Sequence, residues 1–139
     1  MTILVIDAQG GGIGRQLVAA IKQNISTATV IAVGTNNVAT TAMLKAGADE
    51  AATGENSVIV GCRRADIIVG PIGIVITDSL LGEVTSKMAI AVAQSNAKRI
   101  LIPFNHCDNV IVGISDLNTA SLIQDAIDEI KKKVNDFRS

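Results

Sequence analysis

The glycine-rich segment near the amino terminus contains residue types that bind anions through the backbone. "DAQGGGIGRQ" runs from Asp7 to Gln16 and includes four glycines, three of them consecutive. A continuous apolar run, Ile3–Ile6, precedes it, as expected of a strand buried on both faces, and apolar residues at helical spacing follow it. Such a turn exposes N–H groups at the positive end of a helix dipole, where a phosphate or carboxylate binds. The sequence leaves a second interpretation open, in which the glycines only let the helix pack closely on the strand.

The spacing of these glycines departs from the known nucleotide-binding motifs. In the G-x-G-x-x-G pattern that starts at Gly10, Arg15 takes the place of the third glycine. The looser G-x-x-G-x-x-G pattern of short-chain dehydrogenases fits Gly11 and Gly14, with alanine in place of the first glycine. A P-loop is excluded, because Arg15 stands in place of its lysine and Gln16 in place of the Ser or Thr that holds magnesium.

The second predicted strand, Val30–Val33, is not followed by an acidic residue. A sheet that binds NAD carries Asp or Glu there for the ribose hydroxyls, whereas this chain reads "GTNN" over Gly34–Asn37. The same segment has no arginine for a 2′-phosphate. The cofactor therefore stays unknown at this level, with NAD(P) or another nucleotide as the candidates.

Further candidate residues follow the other strands at the same edge of the sheet. A second glycine turn, "GPIG" at Gly70–Gly73, is expected to form the opposite lip of a cleft. Polar side chains near the strand ends are expected to supply neutral hydrogen bonds to a sugar or similar group. The predicted ligand-binding residues are Gln9, Gly10, Gly11, Gly12, Ile13, Gly14, Asn36, Gly70, Pro71, Gly73 and Asn105.

The segment "NHCDN", residues 105–109, contains the single histidine of the chain, His106, next to Cys107. Imidazole chemistry would depend on His106, and Cys107 is a candidate nucleophile. Neighbours in sequence need not be in contact in the fold, and the segment also fits a plain polar turn. One histidine and two scattered cysteines predict no metal site, and the catalytic residues stay unknown.

The composition excludes several classes of partner. Charged residues make up 18% of the chain and the net charge is −1, which gives no electrostatic reason to bind nucleic acid. The most apolar stretch, Ile67–Leu81, is too short and too interrupted by glycine and proline to span a bilayer. Two cysteines and an amino terminus without a signal-peptide pattern predict a cytoplasmic protein.

Strand and helix patterns alternate along the 139 residues and predict one domain, 1–139, with a three-layer Rossmann-like doubly wound α/β sheet. Five parallel strands are expected in the order 3-2-1-4-5, near residues 2–7, 29–34, 50–53, 66–70 and 99–103. The gap after residue 103 is too short for a crossover helix, so 109–113 is expected as an antiparallel edge strand beside the fifth strand. The other segments are predicted as helices over 37–46, 82–97 and 117–137, with 57–64 ambiguous between strand and helix.

Four segments together resemble a family of short bacterial proteins known only as a domain of unknown function. They are "DAQGGGIG", "GTNNVATTAMLKAGADEAATGEN", "DIIVGPIGI" and "ILIPFN", and the similarity runs over nearly the whole chain. The resemblance implies a stand-alone Rossmann-like protein. It brings no established activity and no catalytic residues.

Two functions are compatible with these observations. The first is the binding of a nucleotide or another phosphorylated small molecule at Gly10–Gly14. The alternative is an NAD(P)-dependent oxidoreductase whose site lies at a subunit interface. A homodimer is expected in either case, because the 82–97 segment is apolar almost all round and a monomer would leave part of it in water.

Overall fold

The computed structural model describes residues 1–104, 109–114 and 118–138. Its strands are β1 (Thr2–Asp7), β2 (Thr29–Gly34), β3 (Glu50–Thr53), β4 (Ile67–Pro71) and β5 (Lys98–Ile102). Its α-helices are α1 (Gly12–Asn24), α2 (Asn37–Lys45), α3 (Glu55–Arg64), α4 (Ser86–Gln94) and α5 (Thr119–Arg138), and one 3₁₀ turn spans Ile72–Val75.

The five strands form one parallel sheet in the order β3-β2-β1-β4-β5, as predicted. β1 lies at the centre, and its last residue, Asp7, is in register with Gly34, the last residue of β2. The turns after β1 and β2 therefore lie side by side at the carboxyl edge of the sheet. Ligands bind at this edge in open α/β sheets, where the strand order reverses.

Alternate residues of β1 explain the three layers. Ile3 and Val5 point to one face, where they pack in a core with α1, α2 and α5. Leu4 and Ile6 point to the other face, where they pack with α3 and α4. Because both faces are covered by helices, the central residues of β1 must be apolar on both sides, which is why Ile3–Ile6 reads as a continuous apolar run.

The predicted sixth strand at 109–113 is wrong, because these residues lie outside the five-stranded sheet. Val110 and Val112 are 88% and 92% exposed, and Gly113 has a φ of +88°, which places a turn inside the predicted strand. The β-branched run favours an extended backbone, but a strand also needs a partner and a buried face. No strand of the described sheet pairs with 110–113, and none of these residues is buried.

Two helix predictions change in detail. The ambiguous 57–64 segment is helical and forms part of α3. The 82–97 helix is shorter than predicted: the side chain of Thr85 caps α4 by accepting a hydrogen bond from the N–H of Met88. Gly82 lies outside the helix with a φ of +81°. No helix in the described residues combines the length and apolar character needed to cross a bilayer.

Candidate functional site

A cleft of about 250 Å³ opens at the carboxyl edge of the sheet, above the turn that joins β1 to α1. Sequence reasoning expected this location, because the glycine-rich segment follows the central strand. The cleft also includes residues that the sequence did not indicate, from α1, from the segment before α4, from the end of β5 and from the start of α5. Its lining residues are Asp7, Ala8, Gln9, Gly10, Gly11, Gly12, Ile13, Gln16, Pro71, Leu80, Phe104 and Thr119.

Two of the four loop glycines are required by packing. Gly11 has a φ of +72°, and a Cβ there would lie 2.9 Å from the Cα of Ala39 in α2. A Cβ at Gly14 would lie 2.8 Å from the Cβ of Asp7 and 2.6 Å from the Sδ of Met43. All three distances are too short for a real Cβ, so α1 reaches β1 and α2 only because these positions lack a Cβ. Close packing of the helix on the strand is therefore sufficient to explain why residues 11 and 14 are glycine.

The other two loop glycines have no such reason to be glycine. Among the described residues, a Cβ at Gly10 or at Gly12 would meet nothing within 4 Å, and neither residue has a positive φ. Both residues line the cleft. Packing therefore explains Gly11 and Gly14 and leaves Gly10 and Gly12 unexplained.

The backbone N–H groups of the loop also form two groups, those that have an acceptor and those that have none among the described residues. The N–H of Gly11 donates to the carbonyl of Ala8 at 3.0 Å, and the N–H of Gly14 donates to the carboxylate of Asp7 at 2.6 Å. Among the described residues, the N–H groups of Gly12 and Ile13 have no acceptor, as expected for the first turn of a helix. Of the four N–H groups at residues 11–14 that could bind an anion, two are thus left, those of Gly12 and Ile13 in the first turn of α1.

The carboxylate of Asp7 accepts the hydrogen bond from the N–H of Gly14 that a bound anion would otherwise accept. Its side chain is 5% exposed, and its two oxygens accept hydrogen bonds from the N–H groups of Ala8 and Gly14 at 2.8 and 2.6 Å. Burial raises the pKa of Asp7 above its usual range; the two hydrogen bonds oppose this rise and the negative charge of Glu83 adds to it. Asp7 therefore holds the loop against the end of β1 and adds negative charge to the floor of the cleft.

Glu83 is the main residue that sequence reasoning missed. It belongs to the segment before α4, yet its Oε1 accepts three hydrogen bonds from the turns after β1 and β2. The donors are the N–H of Gln9 at 2.9 Å, the hydroxyl of Thr35 at 2.7 Å and the side-chain amide of Asn36 at 2.6 Å. Partial burial raises the pKa of Glu83, but these hydrogen bonds outweigh it and hold the pKa below its usual range. No local sequence signal connects residue 83 with residues 9, 35 and 36.

Asn36 lies beside the loop but is already engaged. Its Oδ1 caps α2 by accepting from the N–H of Ala39 at 2.9 Å. Its amide also donates to the carbonyl of Gln9 at 3.0 Å, in addition to its bond with Glu83. Asn36 is not among the residues that line the cleft. Its position therefore suits a role in holding the two turns together.

The second predicted lip contributes one residue to the cleft. Pro71 lines it, whereas Gly70 and Gly73 do not. A Cβ at Gly70 would collide with the carbonyl oxygen of Ile6, and a Cβ at Gly73 would lie 3.1 Å from the hydroxyl oxygen of Ser79. Close packing against backbone therefore explains Gly70, and Gly73 lies in a tight contact with a side chain. Residues 105–108, which include the predicted Asn105 as well as His106 and Cys107, lie outside the described residues.

The charges around the cleft limit the ligands it can hold. Within the described part of the chain, no lysine or arginine lines it, and Arg15 is exposed on α1. Asp7 places one carboxylate in the lining, and Glu83, which is hydrogen-bonded to the lining residue Gln9, places a second beside it. These carboxylates disfavour a ligand with several negative charges, so backbone N–H groups must supply the attraction for any anion. The described residues also contain no group of three or more His, Cys, Asp or Glu side chains that could hold a metal ion.

A larger cavity, of about 620 Å³, lies between α3 and α4. Its lining includes Arg63, Lys87 and Ile90, together with Cys62 of the buried core. Burial raises the pKa of the Cys62 thiol to about 11, so this thiol is protonated and unreactive near neutral pH. This cavity is well separated in sequence from the glycine-rich loop and shares no lining residue with the cleft.

Comparison with solved structures finds a likeness to the crystal structure of the dodecameric FMN-dependent UbiX-like decarboxylase from Escherichia coli O157:H7. The sequences are 16% identical, the match covers 96% of this chain and 76% of that chain, and the TM-score is 0.46. At this level, the likeness says nothing of the ligand or the assembly of the present chain. No curated protein matches the sequence.

The comparison with family models gives a match over nearly the whole chain. The model described as a domain of unknown function (DUF3842) matches residues 2–135. The match confirms the resemblance to an uncharacterised family that the four sequence segments indicated. The chain therefore belongs to this family, the domain of unknown function DUF3842.

Proposed function

We propose that the cleft above the β1–α1 turn binds a small molecule through a single phosphate group, as in a mononucleotide or a sugar phosphate. The observation that carries this proposal is the contrast among the four loop glycines. Gly11 and Gly14 are needed for packing, whereas Gly10 and Gly12 line the cleft with open space where a Cβ would stand. A glycine without a packing role at a helix N-terminus is expected where a ligand approaches the backbone.

The donors available in the cleft fit one phosphate group better than two. The N–H groups of Gly12 and Ile13 have no acceptor in the described structure and lie at the positive end of the 13-residue helix α1. The N–H of Gly14 is already bonded to Asp7. A pyrophosphate would bring further negative charge close to Asp7 and Glu83 without a lysine or arginine in the described lining to balance it.

The size of the cleft supports the same choice. Its volume of about 250 Å³ lies below the ~300–1,000 Å³ typical of pockets that enclose a whole cofactor. The phosphate and part of a sugar fit this volume, and the remainder of the ligand would extend along the sheet edge. The alternative of an NAD(P)-dependent oxidoreductase requires more room than the cleft offers, so part of that site would have to come from a second subunit.

Thermal unfolding in the presence of inorganic phosphate, AMP, ribose 5-phosphate, FMN, NAD, NADP and coenzyme A tests this proposal. A ligand with micromolar affinity, at a hundredfold excess over its Kd, stabilises the wild type by about 2.7 kcal/mol, which raises Tm by about 8 °C. Gly12→Val should abolish the shift, because its side chain would stand in the approach to the two N–H groups. Gln23→Val, which places the same side chain on the exposed face of α1, is the matched control and should keep the shift.

Three results would separate the alternatives. Shifts with the monophosphates that disappear only in Gly12→Val support the proposal. A shift with NAD or NADP and none with the monophosphates favours the oxidoreductase. No shift with any compound, or equal shifts in the wild type and in Gly12→Val, would leave the cleft without a ligand-binding role of this kind.

We also propose that the protein forms a homodimer through the surface around α4. Val84, Met88 and Val92 pack into the core, whereas Ile90 is 50% exposed and Leu81, in the preceding segment, is 95% exposed. Large apolar side chains with this exposure are typical of interfaces. Analytical sedimentation at micromolar concentration should give twice the 14.4 kDa of the chain, and a stable monomer would contradict the proposal.

A further inference from the structure

Glu83 lies where a dinucleotide-binding sheet places the acid that recognises ribose. In such sheets the acid follows the second strand and stands beside the glycine turn of the first strand. β1 and β2 are adjacent here and end together, at Asp7 and Gly34. The carboxylate of Glu83 bonds Thr35 and Asn36, directly after β2, and Gln9, in the glycine turn. No acidic residue follows β2 in the sequence. Glu83, 47 residues after Asn36 in the chain, places a carboxylate there instead.

Within the described residues, only one oxygen of the Glu83 carboxylate accepts hydrogen bonds. All three hydrogen bonds go to Oε1, and no donor in the described parts of the chain bonds Oε2. An ionised carboxylate accepts hydrogen bonds at both oxygens. Oε2 is therefore an acceptor that a ligand hydroxyl can use while the three protein donors hold the side chain in place.

The segment that carries Glu83 packs beside the cleft, although Glu83 itself is not among the residues that line it. Leu80, three residues before it, is 5% exposed and lines the cleft. The N–H of Asp78 donates to the carbonyl of Val84 at 2.8 Å and closes the segment into a compact turn. Asp78, Leu80 and Leu81 have φ values of 65°, 56° and 58°, which are unfavourable for residues other than glycine. Such conformations are energetically costly and concentrate at binding sites, where they hold a group in a required place.

We propose that Glu83 determines specificity for the sugar of the ligand, by accepting a hydrogen bond from a ribose 2′-hydroxyl through Oε2. This inference rests on the proposed binding of a phosphate at Gly12 and Ile13. It identifies the ligand class as ribonucleotides and ribose phosphates with a free 2′-hydroxyl. A 2′-deoxy sugar leaves Oε2 without its hydrogen bond, and a 2′-phosphate brings a second negative charge against the carboxylate.

Calorimetric titration with two matched pairs of probes tests this role. The pairs are AMP with 2′-deoxy-AMP and ribose 5-phosphate with 2-deoxyribose 5-phosphate. The wild type should bind the ribose member of a pair about tenfold more tightly than the deoxy member, as expected for a hydrogen bond to a charged group. Glu83→Gln should bind the ribose member about tenfold more weakly and the deoxy member as the wild type does. Glu50→Gln, which removes an exposed carboxylate at the start of β3, should keep the discrimination of the wild type.

The outcomes distinguish a failure of this inference from a failure of the proposed function. Equal affinity of the wild type for both members of a pair would show that Glu83 only ties the two turns together, whatever the behaviour of the variant. Loss of binding to both members in Glu83→Gln would show the same. Binding of inorganic phosphate that is sensitive to Gly12→Val, with no binding of either ribose probe at millimolar concentration, would overturn this inference and leave the phosphate site standing. No binding of any probe would overturn both.

Discussion

The two glycine-containing turns at the carboxyl edge of the sheet look alike in sequence and differ in structure. The first follows β1, and the second begins in the last two residues of β4 and continues into the 3₁₀ turn. In the Gly70–Gly73 turn, Gly70 sits against a backbone oxygen that leaves no room for a side chain, and Gly73 lies in tight contact with the side chains of Ser79 and Leu80. In the β1–α1 turn, Gly11 and Gly14 are packed in the same way, but Gly10 and Gly12 face open space in the cleft.

This comparison separates two uses of glycine that a sequence cannot separate. One use is to let two pieces of backbone approach each other, and the other is to leave the backbone accessible to something that is not part of the chain. The space around an added Cβ distinguishes them. On this criterion only Gly10 and Gly12, of the six glycines in the two turns, are candidates for contact with a ligand.

Gly70→Ala should give the largest loss of stability. Its Cβ would collide with the carbonyl oxygen of Ile6, a backbone atom at the centre of the sheet, so β1 or β4 must move. Overpacking of this kind costs about 3 kcal/mol. Urea unfolding followed by circular dichroism measures the change. A loss below about 0.5 kcal/mol would show that this turn has room for a side chain and would remove the contrast between the two turns.

Asp7→Ala should destabilise the β1–α1 turn by about 2 kcal/mol. The substitution leaves the N–H groups of Ala8 and Gly14 without their acceptor in a buried place. Relief from burying the carboxylate offsets part of this loss. Asp7→Asn, which keeps one acceptor oxygen, should fall between Asp7→Ala and the wild type in the same urea experiment. Equal stability of Asp7→Ala and the wild type would contradict the role of Asp7 in holding the turn.

Gly12→Ala should leave the unliganded protein as stable as the wild type or stabilise it by about 0.5 kcal/mol. The position has open space and no positive φ, and alanine reduces the entropy of the unfolded chain. Gly14→Ala, two residues away, is the matched control and should destabilise the protein because of its contacts with Asp7 and Met43. A marked loss of stability in Gly12→Ala would show that Gly12, like Gly14, serves packing.

The two carboxylates at the cleft should have opposite, small effects on stability in acid. Glu83 has a lowered pKa in the fold, so its stabilising contribution is present above its unfolded pKa of about 4.3 and is lost as the pH falls through the folded value. Asp7 has a raised pKa, so the folded state gains stability as the pH falls through its folded value toward the unfolded value of about 3.9.

Urea unfolding between pH 6 and pH 3 measures these contributions by difference. The advantage of the wild type over Glu83→Gln should shrink by less than about 1 kcal/mol as the pH falls, because solvent screens this partly exposed group. The advantage of the wild type over Asp7→Asn should instead grow as the pH falls. The same sign of change in both comparisons would contradict the assigned pKa directions.

Much of the fold could be predicted from the sequence, because its signals are local. The apolar runs of β1, β2 and β4 mark buried parallel strands, and the right-handed crossover rule restricts their order. The strand at 109–113 was wrong because β-propensity does not show whether a partner and a buried face are available. The start of α4 was also misplaced, because an apolar run does not show where the backbone leaves the helical region.

The candidate site could be predicted only in outline. Its location followed from the position of the glycine turn after the central strand. The division between Gly12 and Gly14 could not be predicted, because it depends on how closely α1 approaches α2 and β1. Glu83 was missed because its partners are 47 to 74 residues away in the chain, and no periodicity or motif connects them.

The most direct test of the central claim is to follow the backbone amide resonances of the ¹⁵N-labelled protein during titration with AMP. The account predicts saturable shifts that are largest at the N–H groups of Gly12 and Ile13, the donors in the first turn of α1 that have no acceptor within the described structure. It predicts smaller shifts at Gly14, whose N–H stays bonded to Asp7. Unchanged resonances at Gly12 and Ile13, with shifts confined to the α3–α4 cavity or absent altogether, would contradict it.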